Sequence, residues 1–214
     1  LLSLLVDPKR GEMVVDFCAG AGGKTLALGA AMRSTGRLYA FDTSAHRLDA
    51  FKPRLARSGL SNVHPAAIAH ERDDRIKRLV GKIDRVLVDA PCSGLGTLRR
   101  NPDLKWRQGL QAVEEMAAKQ TAILDSASRM VKSGGRFVYA TCSVLPQENE
   151  AIAQMFSATH PEFTPLPVAG LLENLKVPQA ATLCAGGESG TDYLRLWPHL
   201  HATDGFFAAV WQKT

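Results

Sequence analysis

Two short segments hold residue types suited to nucleophilic chemistry. Asp89-Ala90-Pro91-Cys92-Ser93-Gly94 follows a β-branched run, and Ala140-Thr141-Cys142-Ser143 follows another. A thiolate attacks well and leaves well, so a cysteine at the end of a strand suits covalent catalysis. A lone cysteine is more often a small buried hydrophobe. Two at adjacent strand ends, each beside a serine and one after Asp-Ala-Pro, speak against that reading. The other two cysteines, Cys18 and Cys184, complete no CxxC spacing and have no histidine pair nearby. Zinc and a disulfide framework are therefore not expected, and free thiols in a reducing cytoplasm are.

A second segment could hold a cofactor. Val14-Val15-Asp16-Phe17-Cys18-Ala19-Gly20-Ala21-Gly22-Gly23-Lys24-Thr25 reads as a strand, a glycine-rich turn and a helix start. Glycines let a backbone approach a ligand closely, and a helix N-terminus favours anions and carboxylates. The turn is not a Walker loop, because Cys18 stands where GxxxxGK[ST] requires glycine, and it lacks the last glycine of GxGxxG. Asp42 ends the second strand about 20 residues on, where an acid accepts hydrogen bonds from ribose hydroxyls, or else caps the following helix. These features suit S-adenosylmethionine but equally a dinucleotide, so they leave methyl and hydride transfer both open.

The elements that must position these residues alternate along the chain. Strand patterns cover residues 12–17, 37–41, 62–68, 83–88 and 136–140; helical patterns cover 24–33, 44–57, 73–80, 108–131 and 147–159. Such alternation predicts a doubly wound, mostly parallel α/β sheet, which gathers its site at the carboxyl ends of the strands. Pro53 predicts a kink or break in the second helix. Prolines and glycines dominate residues 161–192, which read as a long irregular loop. Residues 193–197 and 205–211 read as a closing pair of strands.

Composition bounds the rest. The chain has 214 residues, 45% apolar and 22% charged, with a formal net charge of +5. This is a globular composition, not a disordered or collagenous one, and no apolar run is long enough to cross a membrane as a helix. The modest basic excess is compatible with a polyanionic partner. The opening Leu1-Leu2-Ser3-Leu4-Leu5-Val6 has no Met and no basic flank, so it reads as a helix cut from a longer protein rather than a signal peptide.

The glycine turn, Asp42, the Asp-Ala-Pro-Cys and Thr-Cys-Ser segments, and Asp204-Gly205-Phe206-Phe207 together resemble the RsmB/Sun family of RNA cytosine-5 methyltransferases over nearly the whole chain. The resemblance implies a Rossmann-like methyltransferase sheet with a C-terminal antiparallel hairpin. It makes residues 1–214 one S-adenosylmethionine-dependent catalytic domain, detached from the RNA-binding domain that family members usually carry upstream. It implies that Cys142 adds to carbon 6 of cytosine, that Cys92 serves product release, and that Asp89 hydrogen-bonds the ring. Lys24 would lie near the cofactor carboxylate or the base. Residues Cys18, Ala19, Gly20, Ala21, Gly22, Gly23, Lys24, Asp42, Arg47, Glu71 and Asp89 would hold the cofactor. The family's usual Asp after the third strand is missing, and the register suggests His70 or Glu71 in its place.

Arg99, Arg100, Lys105 and Arg107, around the single aromatic Trp106, would contact RNA phosphates and stack a base, and Phe206 would line the substrate side. The target base must leave its stack, so single-stranded or flipped RNA is the expected substrate. Ribosomal RNA is the first expectation and transfer RNA the second. A monomeric cytoplasmic enzyme without metal or membrane is expected. A DNA cytosine-5 methyltransferase, which would use Cys92 as nucleophile, and a non-catalytic RNA-binding assembly factor are the competing readings.

Overall fold

The structure is a computed structural model that describes residues 1–186 and 192–214. In chain order its elements are α1 (Leu2–Val6), β1 (Met13–Asp16), α2 (Gly23–Ala31), β2 (Arg37–Asp42), α3 (Ala45–Ser58), β3 (Val63–Ala67), α4 (Asp74–Lys77) and β4 (Ile83–Asp89). There follow α5 (Leu104–Arg107), α6 (Leu110–Ser128), β5 (Val131–Thr141), α7 (Glu150–Thr159), β6 (Phe163–Pro165), α8 (Val168–Asn174), β7 (Cys184–Gly186), β8 (Asp192–Leu196), α9 (Pro198–His201) and β9 (Phe206–Lys213). The chain forms two compact units: Leu1–Asp89 with Asp125–Val138 and Lys213–Thr214, and Ala90–Leu124 with Tyr139–Gln212.

The first unit carries a parallel sheet in the order β3-β2-β1-β4, as the alternation of strands and helices predicts. Val14, Val15, Leu38, Ala40, Val86, Leu87 and Val88 are fully buried. Strands covered on both faces need such continuous apolar runs. Arg85 donates from Nε (3.1 Å) and Nη2 (3.1 Å) to the Glu12 carboxylate, fastening β4 to the entrance of β1. The register sets Asp16 beside Ala40 and Leu87, and Asp42 and Asp89 end the two neighbouring strands, so three acids share the carboxyl edge.

Some boundaries depart from expectation. Pro53 sits inside an unbroken α3, exposed, so the carbonyl it leaves unpaired at Asp49 faces water. The helix expected over 73–80 shrinks to α4, capped by Asp73, whose side chain accepts the Arg75 N–H at 2.9 Å. The helix expected to reach residue 131 ends at Ser128, because the Met130 carbonyl is taken by the N–H groups of Lys82 (3.1 Å) and Ile83 (2.9 Å) and the chain must leave the helical path.

In the second unit β7, β8 and β9 form an antiparallel ladder, with β6 also on β9; β8 and β9 are the predicted closing strands. The Phe156 ring lies 4.9 Å from Trp211 and 5.3 Å from Phe163. Residues 161–192 are not the long irregular loop that their prolines and glycines predict. They hold β6, α8, a 3-10 turn and β7, and residues 187–191 lie outside the described residues. Val168 and Leu172, four apart, are fully buried on α8. Each such burial is worth about 1.5–3 kcal/mol, enough to hold a short helix between prolines.

Candidate functional site

The glycine turn of the first unit is built by backbone bonds. The Phe17 N–H donates to the Leu87 carbonyl (2.8 Å) and the Ala19 N–H to that of Phe41 (2.8 Å), which draws the turn across the strand ends. Gly22 adopts φ +79° against the Phe51 ring of α3, where any Cβ would overlap that ring. Asp42 accepts the Gly20 N–H at 2.8 Å and the Ser44 N–H at 2.7 Å, one on each oxygen. Its carboxylate therefore ties the turn to the start of α3, while Ser44 caps that helix through the Arg47 N–H. Arg47 itself is exposed.

Asp16 is fully buried and accepts the Thr25 hydroxyl at 2.7 Å through one oxygen; its other oxygen has no partner among the described residues. Burial, aided by Asp89 and Asp42 and opposed by the Thr25 hydrogen bond and by Lys24, pushes its pKa up to about 7. An orphaned buried carboxylate oxygen beside a helix start suits a cationic amino group such as that of S-adenosylmethionine. Lys24 Nζ lies 2.5 Å from Asp89 Oδ2, a pairing that the sequence reading did not include. Burial raises the Asp89 pKa and Lys24 opposes the rise.

After β3, the Asp73 carboxylate accepts the Ala69 N–H (3.0 Å) and the His70 imidazole accepts the Arg72 N–H (3.1 Å), so both are engaged in the local turn. The Glu71 carbonyl accepts the Ser126 hydroxyl, and its half-buried carboxylate stands 3.9 Å from the Arg72 guanidinium. Of the two candidates for the missing Asp, Glu71 is half-buried and His70 exposed.

The second unit brings the two predicted thiols together: Cys92 Sγ and Cys142 Sγ are 3.4 Å apart. The hydrogen bond with Cys142, then burial, drives the Cys92 pKa up, so Cys92 keeps its proton at neutral pH. The two cysteine segments are locked at the backbone. The Gly96 N–H donates to the Cys142 carbonyl (2.9 Å) and the Gly205 N–H to the Gly96 carbonyl (2.8 Å). A Cβ on Gly96 would overlap the carbonyls of Cys142 and Gly205.

Sequence reasoning missed the residues that anchor this arrangement. Glu148 is fully buried; it accepts the Ser93 N–H (2.7 Å) and the Gln120 amide (3.2 Å) on one oxygen, and the hydroxyls of Ser93 (2.5 Å) and Ser143 (2.5 Å) on the other. Asn149, also buried, accepts the Thr141 hydroxyl (2.5 Å) and donates to the Ser143 carbonyl (3.1 Å). The available signal was the polar run Gln147-Glu148-Asn149-Glu150, separated from Thr-Cys-Ser by Val144-Leu145-Pro146.

The predicted RNA contacts are divided. Arg99, Lys105 and Arg107 are exposed, and Arg107 pairs with Asp103 at 3.0 Å. Trp106 is 82% exposed, with Lys105 Nζ 4.8 Å from its ring. Arg100 instead forks onto Asp204, its Nε at 2.9 Å and its Nη2 at 2.5 Å from Oδ2. Phe206 is half-buried, while its neighbour Phe207 is core, 5.2 Å from Tyr193. Cys18 and Cys184 are half-buried and in no disulfide. Among the described residues no cluster could hold a metal, and no helix is long and apolar enough to cross a membrane.

The family model described as 16S rRNA methyltransferase RsmB/F matches residues 3–212. The chain belongs to this methyltransferase family. It is 36% identical over 212 residues to the probable ribosomal RNA small subunit methyltransferase B of Synechocystis sp., covering 98% of this chain and 45% of that protein. The crystal structure of PH0851 superposes with a TM-score of 0.87 at 39% identity, over 99% of this chain and 44% of that one. That of NSun6 from Pyrococcus horikoshii with SFG gives 0.81 at 27% identity, over 99% and 50%. The chain thus spans about half the length of the relatives it matches. The α/β methyltransferase fold and S-adenosylmethionine as cofactor are those of the family, and the orphaned Asp16 oxygen fits that cofactor's amino group.

A pH dependence follows for the cofactor. Folding raises the Asp16 pKa from the ordinary 3.8 to about 7, so the folded chain holds the extra proton between those values. That contribution to stability is present at acid pH and is lost as pH rises through about 7. A cationic amino group selects the ionised form. Calorimetric titration is therefore expected to show S-adenosylmethionine affinity rising up to about tenfold per pH unit below 7 and levelling above it. Asp16→Asn is expected to bind more weakly and to lose the slope; an unchanged slope would contradict the role.

Proposed function

We propose that this chain transfers a methyl group from S-adenosylmethionine to carbon 5 of a cytosine in ribosomal RNA through a covalent cysteine adduct, with residues 1–214 acting as one catalytic domain. The observation that carries the reading is the pair of sulfurs 3.4 Å apart in the second unit, one of them held protonated. With two thiols in hydrogen-bond reach, one can carry the proton while the other acts as the nucleophile, the role that the family resemblance gives to Cys142. Membership of a family described by 16S rRNA methylation supports RNA as the substrate class.

Carbon 5 of cytosine is a poor nucleophile. Addition of the Cys142 thiolate to carbon 6 makes the ring enamine-like. Asp89, whose burial favours its protonated form, supplies a proton or hydrogen bond to the ring nitrogen as charge develops there. Bound S-adenosylmethionine supplies an electrophilic methyl on a sulfonium. Asp16, the Gly20–Gly23 turn, Asp42 and Glu71 hold the cofactor, and Lys24 keeps Asp89 in place. After transfer the carbon 5 proton leaves to water, the bond from carbon 6 to sulfur breaks, and the Cys92 S–H stabilises the departing Cys142 sulfur. Arg99, Lys105 and Arg107 meet phosphates and Trp106 stacks a base. Thiols that must stay reduced to work suit the cytoplasm.

The test is methyl transfer from labelled cofactor to RNA and to DNA, followed by nucleoside analysis. The expected product is 5-methylcytidine in RNA. Methylation of DNA alone, or of another base atom, would overturn the reading.

A further inference from the structure

We propose that Glu148 is a positioning residue: its carboxylate bridges Ser93 and Ser143 and so fixes Cys92 against Cys142. The inference rests on the two-thiol reading above and extends it to a residue that touches neither sulfur.

The two cysteine segments are 50 positions apart in sequence, yet they are handled alike. Each cysteine is followed by a serine. Each serine hydroxyl receives the N–H two residues on, Leu95 onto Ser93 at 3.4 Å and Leu145 onto Ser143 at 3.1 Å. Each then donates to the same oxygen of Glu148, at 2.5 Å in both cases. The two hydroxyl oxygens are thereby brought to 3.2 Å of each other, immediately behind sulfurs that stand 3.4 Å apart. The second oxygen of Glu148 takes the Ser93 N–H and the Gln120 amide, and that amide also reaches the Pro91 carbonyl at 2.9 Å. Glu148 itself cannot drift. It closes a 3-10 turn opened by Pro146, and the Tyr139 hydroxyl donates to its carbonyl at 2.6 Å.

A fully buried carboxylate is costly unless its lone pairs are filled. Here four donors fill them, and three of the four belong to the serines that follow the thiols. An acceptor-only group suits this ring of donors. An amide would bring two N–H donors into it and force the hydroxyls to turn away. Displacement of reacting groups by about 1 Å can cost about a hundredfold in rate.

The test uses the whole chain with Glu148→Gln, and with Ser93→Ala and Ser143→Ala as milder removals of one tie each. Diamide takes two protons and two electrons from a thiol pair, closing a disulfide and becoming the hydrazine. The rate of Cys92–Cys142 closure therefore reads the sulfur geometry without RNA or cofactor. Glu148→Gln is expected to slow closure by about tenfold and to lower kcat for methyl transfer by about 10- to 100-fold, with the KM for S-adenosylmethionine unchanged. The serine variants should move both quantities the same way by less, and they decide the matter if Glu148→Gln does not fold. Wild-type closure rates in every variant that folds would overturn the proposal. So would a fall in cofactor affinity that matches the fall in kcat, which marks general loosening. Failure of the wild-type chain to methylate RNA cytosine sinks the two-thiol reading instead, and the closure rates still judge Glu148.

Discussion

Replacing Cys142 with alanine is expected to lower methyl transfer by about 10⁴-fold or more, the scale on which removal of a covalent nucleophile acts. The neighbouring thiol cannot stand in. Burial still favours the Cys92 thiol once the Cys142 sulfur is gone, and a thiol is a far weaker nucleophile than a thiolate. Loss of the Cys142 sulfur frees Cys92 of its partner, yet Cys92 remains fixed behind Ser93 and Pro91 and does not acquire the other sulfur's position. The cofactor side should be untouched. The residues proposed to hold it are Asp16, the Gly20–Gly23 turn, Asp42 and Glu71, all in the first unit. Calorimetry on Cys142→Ala is therefore expected to return the wild-type affinity for S-adenosylmethionine while single-turnover transfer collapses. Transfer at the wild-type rate would remove Cys142 from the nucleophile's role.

Replacing Cys92 should give a different phenotype. In the proposed mechanism addition of Cys142 to the base does not require Cys92, but departure of the Cys142 sulfur gains from a thiol 3.4 Å away that can hydrogen-bond it. Loss of an acid or hydrogen-bond donor aimed at a leaving group costs about 10²- to 10⁴-fold. The slowed step comes after the covalent bond has formed. Cys92→Ala is therefore expected to accumulate a protein–RNA adduct that survives a denaturing gel, at the expense of released product. The double variant Cys92→Ala/Cys142→Ala should form none. An adduct that persists in the double variant, or clean turnover by Cys92→Ala, would contradict the division of labour between the two thiols.

Much of this was legible in the sequence because parallel strands gather their carboxyl ends. Asp16, Asp42 and Asp89 each end a β-branched or aromatic run, and the parallel register of the first unit sets all three on one edge. Cys92 and Cys142 sit in short motifs beside strand ends, and the second unit does pair them. What stayed hidden depends on contacts remote in sequence. Glu148 serves Ser93 from 55 positions away, and nothing local to Pro146-Gln147-Glu148 says which donors will surround it. Arg100 looked like one more phosphate contact until the fold supplied Asp204, 104 positions on. An exposed pair of this kind is worth about 0–1 kcal/mol, so its effect is to occupy Arg100 rather than to stabilise the chain. Residues 161–192 were misread because proline and glycine spacing outweighed the apolar pair Val168 and Leu172, whose burial is what fixes α8. Pro53 leaves α3 unbroken for the opposite reason: it stands exposed, so the hydrogen bond it removes lies on the solvent side of the helix.

The most direct test of the central claim is the site of the covalent bond. Cys92→Ala is incubated with S-adenosylmethionine and cytosine-containing RNA, the adduct is digested with nuclease and protease, and the modified peptide is sequenced by mass spectrometry. The account predicts a methylated cytosine carried on the peptide that contains Ala140-Thr141-Cys142-Ser143, attached through the Cys142 sulfur. Attachment at any other residue, or methylated RNA released by Cys92→Ala with no peptide carrying a base, would contradict it.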